Sequence, residues 1–214
     1  MFDPKSPISE QYRTIRTNVQ FSTVDEEVKT LMVTSSGPGE GKSTTVANLA
    51  VVFAQQGKKV LLVDADMRKP TAHYTFNMSN VYGLTSVLTK QATLINAVEE
   101  SQENNLFILT SGPIPPNPAE LLSSKAMEQF FLDAQEFFDL VIFDTPPLLA
   151  VTDAQILANK CGGTILVISS GKTENEMALK AKELLDTAQS KLLGVVLNNK
   201  KIENTNYYYY YGAK

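Results

Sequence analysis

The chain has 214 residues, 43% of them apolar, a net charge of −4 and a pI of about 5.1. That length suits one generous α/β domain with a sizeable core, and the acidic balance argues against nucleic acid binding through the field of the whole protein. A single cysteine, Cys161, excludes an internal disulfide framework and makes a reducing cytoplasm the expected setting. The opening "MFDPKSPISEQ" has no apolar h-region, so no signal peptide is expected. The longest clean apolar stretch, "VANLAVVFA", is about half of the roughly 20 residues a membrane span needs, so any membrane role is expected to come through a partner.

In chain order, "SPISEQYRTIRTNVQF" reads as a helix, with Ile8, Tyr12, Ile15 and Val19 on one apolar stripe. Glu10, Arg13 and Arg16 project elsewhere, within an arc of roughly 120°. "KTLMVTS" is a short strand rich in β-branched residues. A Gly-rich loop leads to the helix "KSTTVANLAVVFAQQG", whose Val46, Leu49, Ala50 and Phe53 mark a buried face and whose Gly57 is a stop. "KKVLLVDAD" is a second strand, followed by a polar connection and short helical patterns at "GLTSVLTK" and "LINAVEES". "LFILTSG" is a third strand. The Pro-rich "PIPPNPAELLSS" runs into a helix, with Pro118 in its first turn, and "KAMEQFFLDAQEFF" continues the helical pattern. "LVIFDTPP", "GTILVISSG" and "LLGVVLNN" are the fourth, fifth and sixth strands, and "DAQILANK" and "ENEMALKAKELLDTAQS" are helices. The strands are continuous apolar runs with helices between most of them. They predict an α/β fold with a mostly parallel central sheet covered by helices on both faces. The one low-complexity segment is the end, where Tyr207, Tyr208, Tyr209, Tyr210 and Tyr211 stand in a row.

The strand–loop–helix unit "SSGPGEGKST" is where chemistry is expected. Measured against G-x-x-x-x-G-K-[ST], Ser36 replaces the first glycine, while Gly41, Lys42 and Ser43 fit. Such glycines let backbone N–H groups wrap a polyphosphate; Lys42 would reach the β- and γ-phosphates and the Ser43 hydroxyl a Mg²⁺ ion. An ordinary Gly-rich turn is the plainer alternative, and the strand before and helix after argue against it. Asp64 and Asp66 close one strand and Asp144 another, which puts all three in the crevice where parallel sheets bind ligands. Asp144 is a metal-orienting candidate; the alternative for a lone acid there is a helix cap. Asp64 and Asp66, at i and i+2, face the same way and could serve one metal and one nucleophile. Two close carboxylates repel, so one holds its proton more tightly, which suits a base toward a phenol. His73 is the only histidine and cannot make a metal cluster, and Cys161 reads as structural.

"GPGEGKST", "VLLVDADMRKP" and "VIFDTPP", in this order, resemble the bacterial tyrosine kinases of capsule and exopolysaccharide biosynthesis. So do "SEQYRTIRTN", "LTSGPIPPNPAELL", "VTDAQILA" and the tyrosine cluster, so the likeness runs through nearly the whole chain. The family's fold is that of P-loop NTPases, similar to septum-positioning and plasmid-partition ATPases. Those relatives carry an extra lysine where Gly37 stands here, a departure that agrees with the kinases. The resemblance implies that Gly39, Glu40, Gly41, Lys42, Ser43 and Thr44 bind ATP phosphates, with Ser43, Asp66 and Asp144 serving Mg²⁺. It implies Asp64 as the base toward the phenol. Arg68 either meets the γ-phosphate or pairs with an acid, and Asn198 either touches adenine or caps a loop. The motif Glu10, Arg13, Arg16 is implicated in ring-shaped self-assembly; without the resemblance it reads as a solvated helix face.

Residues 1–200 thus read as one kinase domain, with 1–22 an N-terminal helix used in assembly and 201–214 a flexible tail. Three functions compete: transfer of the ATP γ-phosphoryl to tyrosine, an ATPase switch for partitioning or positioning, and a non-catalytic nucleotide-binding regulator. The tail separates the first two, and the full set Lys42, Asp64, Asp66 and Asp144 disfavours the third. The expected partners are further copies of the chain, the cytoplasmic tail of a membrane activator and protein tyrosine substrates, with the protein recruited to the inner face of the membrane.

Overall fold

The structure is a computed structural model, and it describes residues 6–22 and 27–201. The tyrosines 207–211 lie outside the described residues. Among the described residues seven strands form one sheet: β1 (Thr30–Ser35), β2 (Val60–Asp64), β3 (Glu99–Glu100), β4 (Leu106–Leu109), β5 (Leu140–Asp144), β6 (Gly163–Ser169) and β7 (Leu192–Asn198). Their order is β3-β4-β2-β5-β1-β6-β7. Every pairing is parallel except the short antiparallel β3–β4 ladder at one edge. The apolar runs become buried strands: every residue of β1, β2 and β5 is enclosed.

Among the described residues nine helices accompany the sheet: α1 (Pro7–Phe21), α2 (Lys42–Ala54), α3 (Ala72–Phe76), α4 (Leu84–Leu88), α5 (Leu94–Ala97), α6 (Pro118–Ser123), α7 (Lys125–Phe137), α8 (Asp153–Lys160) and α9 (Asn175–Thr187). One core lies between the sheet and α1 and α2, through Leu31, Val33, Leu49, Phe53, Leu62 and Ile142. The other joins the opposite face to α4 to α9, through Met32, Leu61, Leu122, Phe130, Phe143 and Leu185. The expected apolar face of α2 is only part of what is buried. Thr45 to Ala54 are enclosed all round, because the sheet covers one side and α1 another. The stripe on α1 holds for Tyr12 and Val19, which are buried, and for Ile15, which packs on the same core; Ile8 is exposed.

Three local features depart from the sequence pattern. The helical pattern "LINAVEES" ends at Ala97, because Val98 turns extended and Glu99 and Glu100 pair with Ile108 and Phe107. The helix expected to continue through residue 124 breaks there: Ser124 is extended, and its hydroxyl accepts the Met127 N–H at the start of α7. Helix α3 forms inside the stretch that reads as a polar connection. Its first free N–H groups are taken by a distant carboxylate, as described below.

Candidate active site

The loop between β1 and α2 folds back on glycines that no other residue could replace without strain. Gly41 has φ 92° and precedes the first residue of α2. A Cβ there would lie 2.0 Å from Asn198 Nδ2, so both backbone and space demand glycine. Gly39 also sits at positive φ, 70°. The loop is braced from outside. The Glu40 carboxylate is buried and accepts the Ser36 hydroxyl at 2.9 Å and the Thr173 hydroxyl at 2.6 Å. Its side chain therefore holds the loop's shape, which leaves only its backbone for the expected phosphate contact. Ser36 explains itself here: in place of the first motif glycine, it supplies the hydroxyl that Glu40 needs.

Lys172 donates to Pro38 O at 3.2 Å and Gly39 O at 3.1 Å, and Asn198 Nδ2 donates to Glu40 O at 2.9 Å. Asn198 thus lies against the loop with its amide N–H₂ engaged. Lys172 and Thr173, between β6 and α9, carried no motif in the sequence. Their placement follows only from the pairing of β6 beside β1.

Lys42 Nζ stands 3.2 Å from Asp66 Oδ2, 3.4 Å from Asp144 Oδ1 and 3.3 Å from Ser43 Oγ. The lysine expected to bind phosphate and the two carboxylates and hydroxyl expected to hold a metal therefore meet at one point. Sheet register brings them together, since Asp64 and Asp144 are direct neighbours across β2 and β5. Thr44 follows on α2 and is exposed.

Asp64 is fully enclosed, at 0% exposure. Its Oδ2 accepts Thr71 N–H and Ala72 N–H, both at 2.9 Å, and its Oδ1 accepts Asp66 N–H at 3.2 Å. Asp64 is thus the cap of α3, whose Thr71 makes no side-chain cap of its own. Burial first, and the nearby Asp144 second, push the Asp64 carboxyl up to about 7, against the pull of the Ala72 and Thr71 amides. Burial also raises Asp144, partly offset by Lys42 and Ser43. For Lys42 burial works downward, but the attraction of Asp144 and Asp66 outweighs it, and the shift is upward.

One ammonium, Lys42, faces the two carboxylates of Asp66 and Asp144 in a buried crevice, with Asp64 beside Asp144 across the sheet. That surplus of negative charge, with a hydroxyl beside it, fits a hard divalent cation with all-oxygen ligands. Among the described residues no group of three or more His, Cys, Asp or Glu is placed to hold a metal alone. Mg²⁺ takes one or two carboxylates and completes its shell with phosphate and water, and Asp66, Asp144 and the Ser43 hydroxyl, gathered around Lys42, would fit it.

Arg68 follows on the loop after β2 and forms a two-point fork with Asp153: Nε donates to Oδ2 at 2.8 Å and Nη2 to Oδ1 at 3.0 Å. Of the two roles open for Arg68, the structure supplies the acid, a residue the sequence did not single out. Glu10 and Arg13 form an ion pair on α1, and Arg16 Nη1 donates to Val52 O at 2.7 Å. The three lie on α1, apart from the phosphate loop. Cys161 is buried at the end of α8, and burial pushes its thiol up, consistent with a structural residue. No helix among the described residues is long and apolar enough to cross a membrane.

A parallel sheet carrying a Gly-rich phosphate loop at the end of β1 and acids at the ends of β2 and β5 defines a P-loop nucleotide-binding protein. A family model described as an AAA domain matches residues 28–187. The tyrosine-protein kinase YwqD of Bacillus subtilis (strain 168) is 63% identical over 214 residues, covering 100% of this chain and 90% of that protein. The crystal structure of the chimerical protein CapA2B2 superposes with a TM-score of 0.90 at 46% identity, over 92% of this chain and 87% of that one. The kinase domain of the Escherichia coli tyrosine kinase ETK gives 0.88 at 32% identity, over 95% and 82%. The chain belongs to the bacterial tyrosine-protein kinases, and it is a kinase of that class.

Proposed function

We propose that this kinase phosphorylates its own terminal tyrosines, Tyr207 to Tyr211, from one subunit to the next, and so regulates capsule or exopolysaccharide synthesis and export. The observation that carries the reading is the convergence of Lys42, Ser43, Asp66 and Asp144 beside the phosphate loop, in a chain that ends in five adjacent phenols. The backbone N–H groups of 39–44 and the Lys42 ammonium bind the β- and γ-phosphates of ATP. Ser43, Asp66 and Asp144 hold Mg²⁺, which neutralises charge on the phosphates when bound. Asp64 or Asp66 takes the phenolic proton as the tyrosine oxygen bonds to the γ-phosphorus and the bond to ADP breaks; ADP leaves with that electron pair. Asp64 is enclosed and bonded to three N–H groups, so the role of base requires the 65–72 loop to shift. Asn198 reaches adenine through its carbonyl oxygen, its amide N–H₂ being engaged with Glu40 O.

About eight residues separate β7 from Tyr207, a reach of about 28 Å at most. Reach alone permits the chain's own site; the family resemblance favours the neighbour's. The motif Glu10, Arg13 and Arg16 joins the copies, in a ring. A membrane activator recruits the kinase to the inner face of the membrane and stimulates it through a cytoplasmic tail. Each phosphotyrosine adds about −1.5 to −2 charges, so five add roughly −8 to −10 and press the copies apart.

The test is incubation of wild type and Asp64→Ala with ATP and Mg²⁺, with and without an activator tail, followed by mass spectrometry of the C-terminal peptide. Phosphotyrosine in the wild type and its loss in Asp64→Ala support the reading. ATP hydrolysis with no phosphotyrosine, even with the activator, returns the switch reading. Gel filtration of the phosphorylated protein against Lys42→Met reports the assembly, and an unchanged size discards the loosening.

A further inference from the structure

Arg68, two residues after Asp66, reaches toward solvent: its side chain is 42% exposed, against 12% for Lys42. Such a long side chain on a loop has many rotamers and loses about 2 kcal/mol of conformational freedom when fixed. Here it is fixed. Asp153, fully buried as the first residue of α8, takes Nε and Nη2 in a fork of 2.8 and 3.0 Å. A planar guanidinium held along that edge cannot rotate, and its remaining nitrogen, Nη1, makes no hydrogen bond to any described residue. Asp66, two residues back and bonded to Lys42, is near enough to favour the Arg68 charge. The rim therefore reads as a chain, from Lys42 through Asp66 to Arg68 and on to Asp153, with three of the five guanidinium N–H donors left over, two of them on Nη1.

We propose that Asp153 is a positioning residue for phosphoryl transfer, holding Arg68 so that Nη1 meets the γ-phosphoryl group as it passes to tyrosine. This rests on the kinase reading above. Asp153 touches neither nucleotide nor phenol; it acts through Arg68. A buried carboxylate is otherwise a poor stabiliser, since its desolvation offsets much of the attraction. Its placement under an exposed arginine next to the metal acids has a functional reason. An arginine left free would average over rotamers and meet the departing charge only part of the time.

The experiment uses the full chain with ATP, Mg²⁺, the activator tail and a tyrosine peptide, in wild type, Arg68→Ala, Asp153→Asn and the double variant. Asn at 153 keeps the shape but turns an N–H₂ group toward the guanidinium. Asp153→Asn should lower kcat about 10- to 100-fold, keep MgADP affinity within about twofold of wild type by the same local logic, and add nothing in the Arg68→Ala background. Ethylguanidinium should restore part of the activity of Arg68→Ala, and none in the double variant, where its dock is gone. A purely structural Asp153 would lower the melting temperature and move neither the kinetic cycle nor the rescue. Multiplying effects in the double variant, or a kcat for Asp153→Asn within twofold of wild type, would overturn the proposal. Should Asp153→Asn not fold, Arg68→Lys decides: it keeps the charge and loses the fork, so a loss as deep as Arg68→Ala supports the proposal, and near-wild-type turnover refutes it. If the wild type phosphorylates no tyrosine, both readings fail; if it does and Asp153→Asn keeps its kcat, only this one does.

Discussion

Two groups of charges in this chain have nearly the same ingredients and opposite circumstances. At the sheet rim, Lys42, Asp66 and Asp144 meet with side chains 12%, 7% and 3% exposed. On α1, Glu10 and Arg13 pair with 68% and 28% exposure. In water, attraction between unit charges at contact is worth about 1 kcal/mol, and the entropy of pinning two long side chains consumes most of it. In the enclosed rim, water no longer screens, and each charge left unpaired costs several kcal/mol. The same residue types therefore form a strongly coupled cluster in one place and a weakly coupled, exposed pair in the other, and burial is the difference.

The largest effect should come from Lys42→Met. It removes the phosphate ligand and leaves Asp66 and Asp144 facing each other. The phosphoryl-transfer rate should fall about 10²- to 10³-fold. Losing the partner of a buried pair should also cost about 3–5 kcal/mol, less whatever is recovered by protonating a carboxyl. Turnover together with urea unfolding at pH 7 checks both. A variant as stable as wild type would mean that the rim is wetter than its burial implies.

Asp64 tests the same contrast through pH. Its carboxyl holds a proton more tightly in the folded chain, with a value near 7, than in the unfolded chain, near 3.8. Stability from this group is therefore complete below about pH 4 and is lost as pH rises through about 7, a difference on the order of 4 kcal/mol. Asp144 is shifted the same way and adds to that trend. The metal-free, nucleotide-free protein should lose melting temperature from pH 5 to pH 8, and Asp64→Asn should flatten that slope. Adding Mg²⁺ and ADP should raise the wild-type melting temperature more at pH 8 than at pH 6. A slope equal in Asp64→Asn and wild type would place the titration elsewhere.

This contrast also shows where sequence patterns inform and where they do not. The apolar runs of β1, β2 and β5 announce a sheet buried on both faces, and the motif from Ser36 to Ser43 announces a phosphate loop, because each is local. The carboxylates at strand ends were legible as a group because parallel register aligns strand ends. Asp153, Thr173 and Lys172 were not. Each acts across more than 80 residues, on Arg68, Glu40 and the Pro38–Gly39 carbonyls, and although Asp153 lies in the family-like stretch "VTDAQILA", nothing local points to these partners. Helix α3 was missed for the same reason: its N-terminal cap is Asp64, seven residues before the Thr71 N–H it accepts. The edge strand β3 was hidden in a helical pattern, since two residues give no period to read.

Within the α1 motif the contrast returns at smaller scale. Arg16 is not a loose charge: its Nη1 donates to Val52 O in the last turn of α2, where a cation also meets the negative end of the helix dipole. Arg16→Ala should cost about 1 kcal/mol or somewhat more, by losing that bond. Glu10→Ala, which opens only the exposed pair with Arg13, should cost about 0.2–0.5 kcal/mol, a shift of roughly 1–2 °C in melting temperature at this chain length. If Glu10 serves contact between copies, its replacement should instead move the elution volume in gel filtration while the melting temperature of the separated subunit hardly changes. A large loss of subunit stability with unchanged elution would show that the exposed pair holds the fold rather than the assembly, and the distinction between the two charged regions would fall.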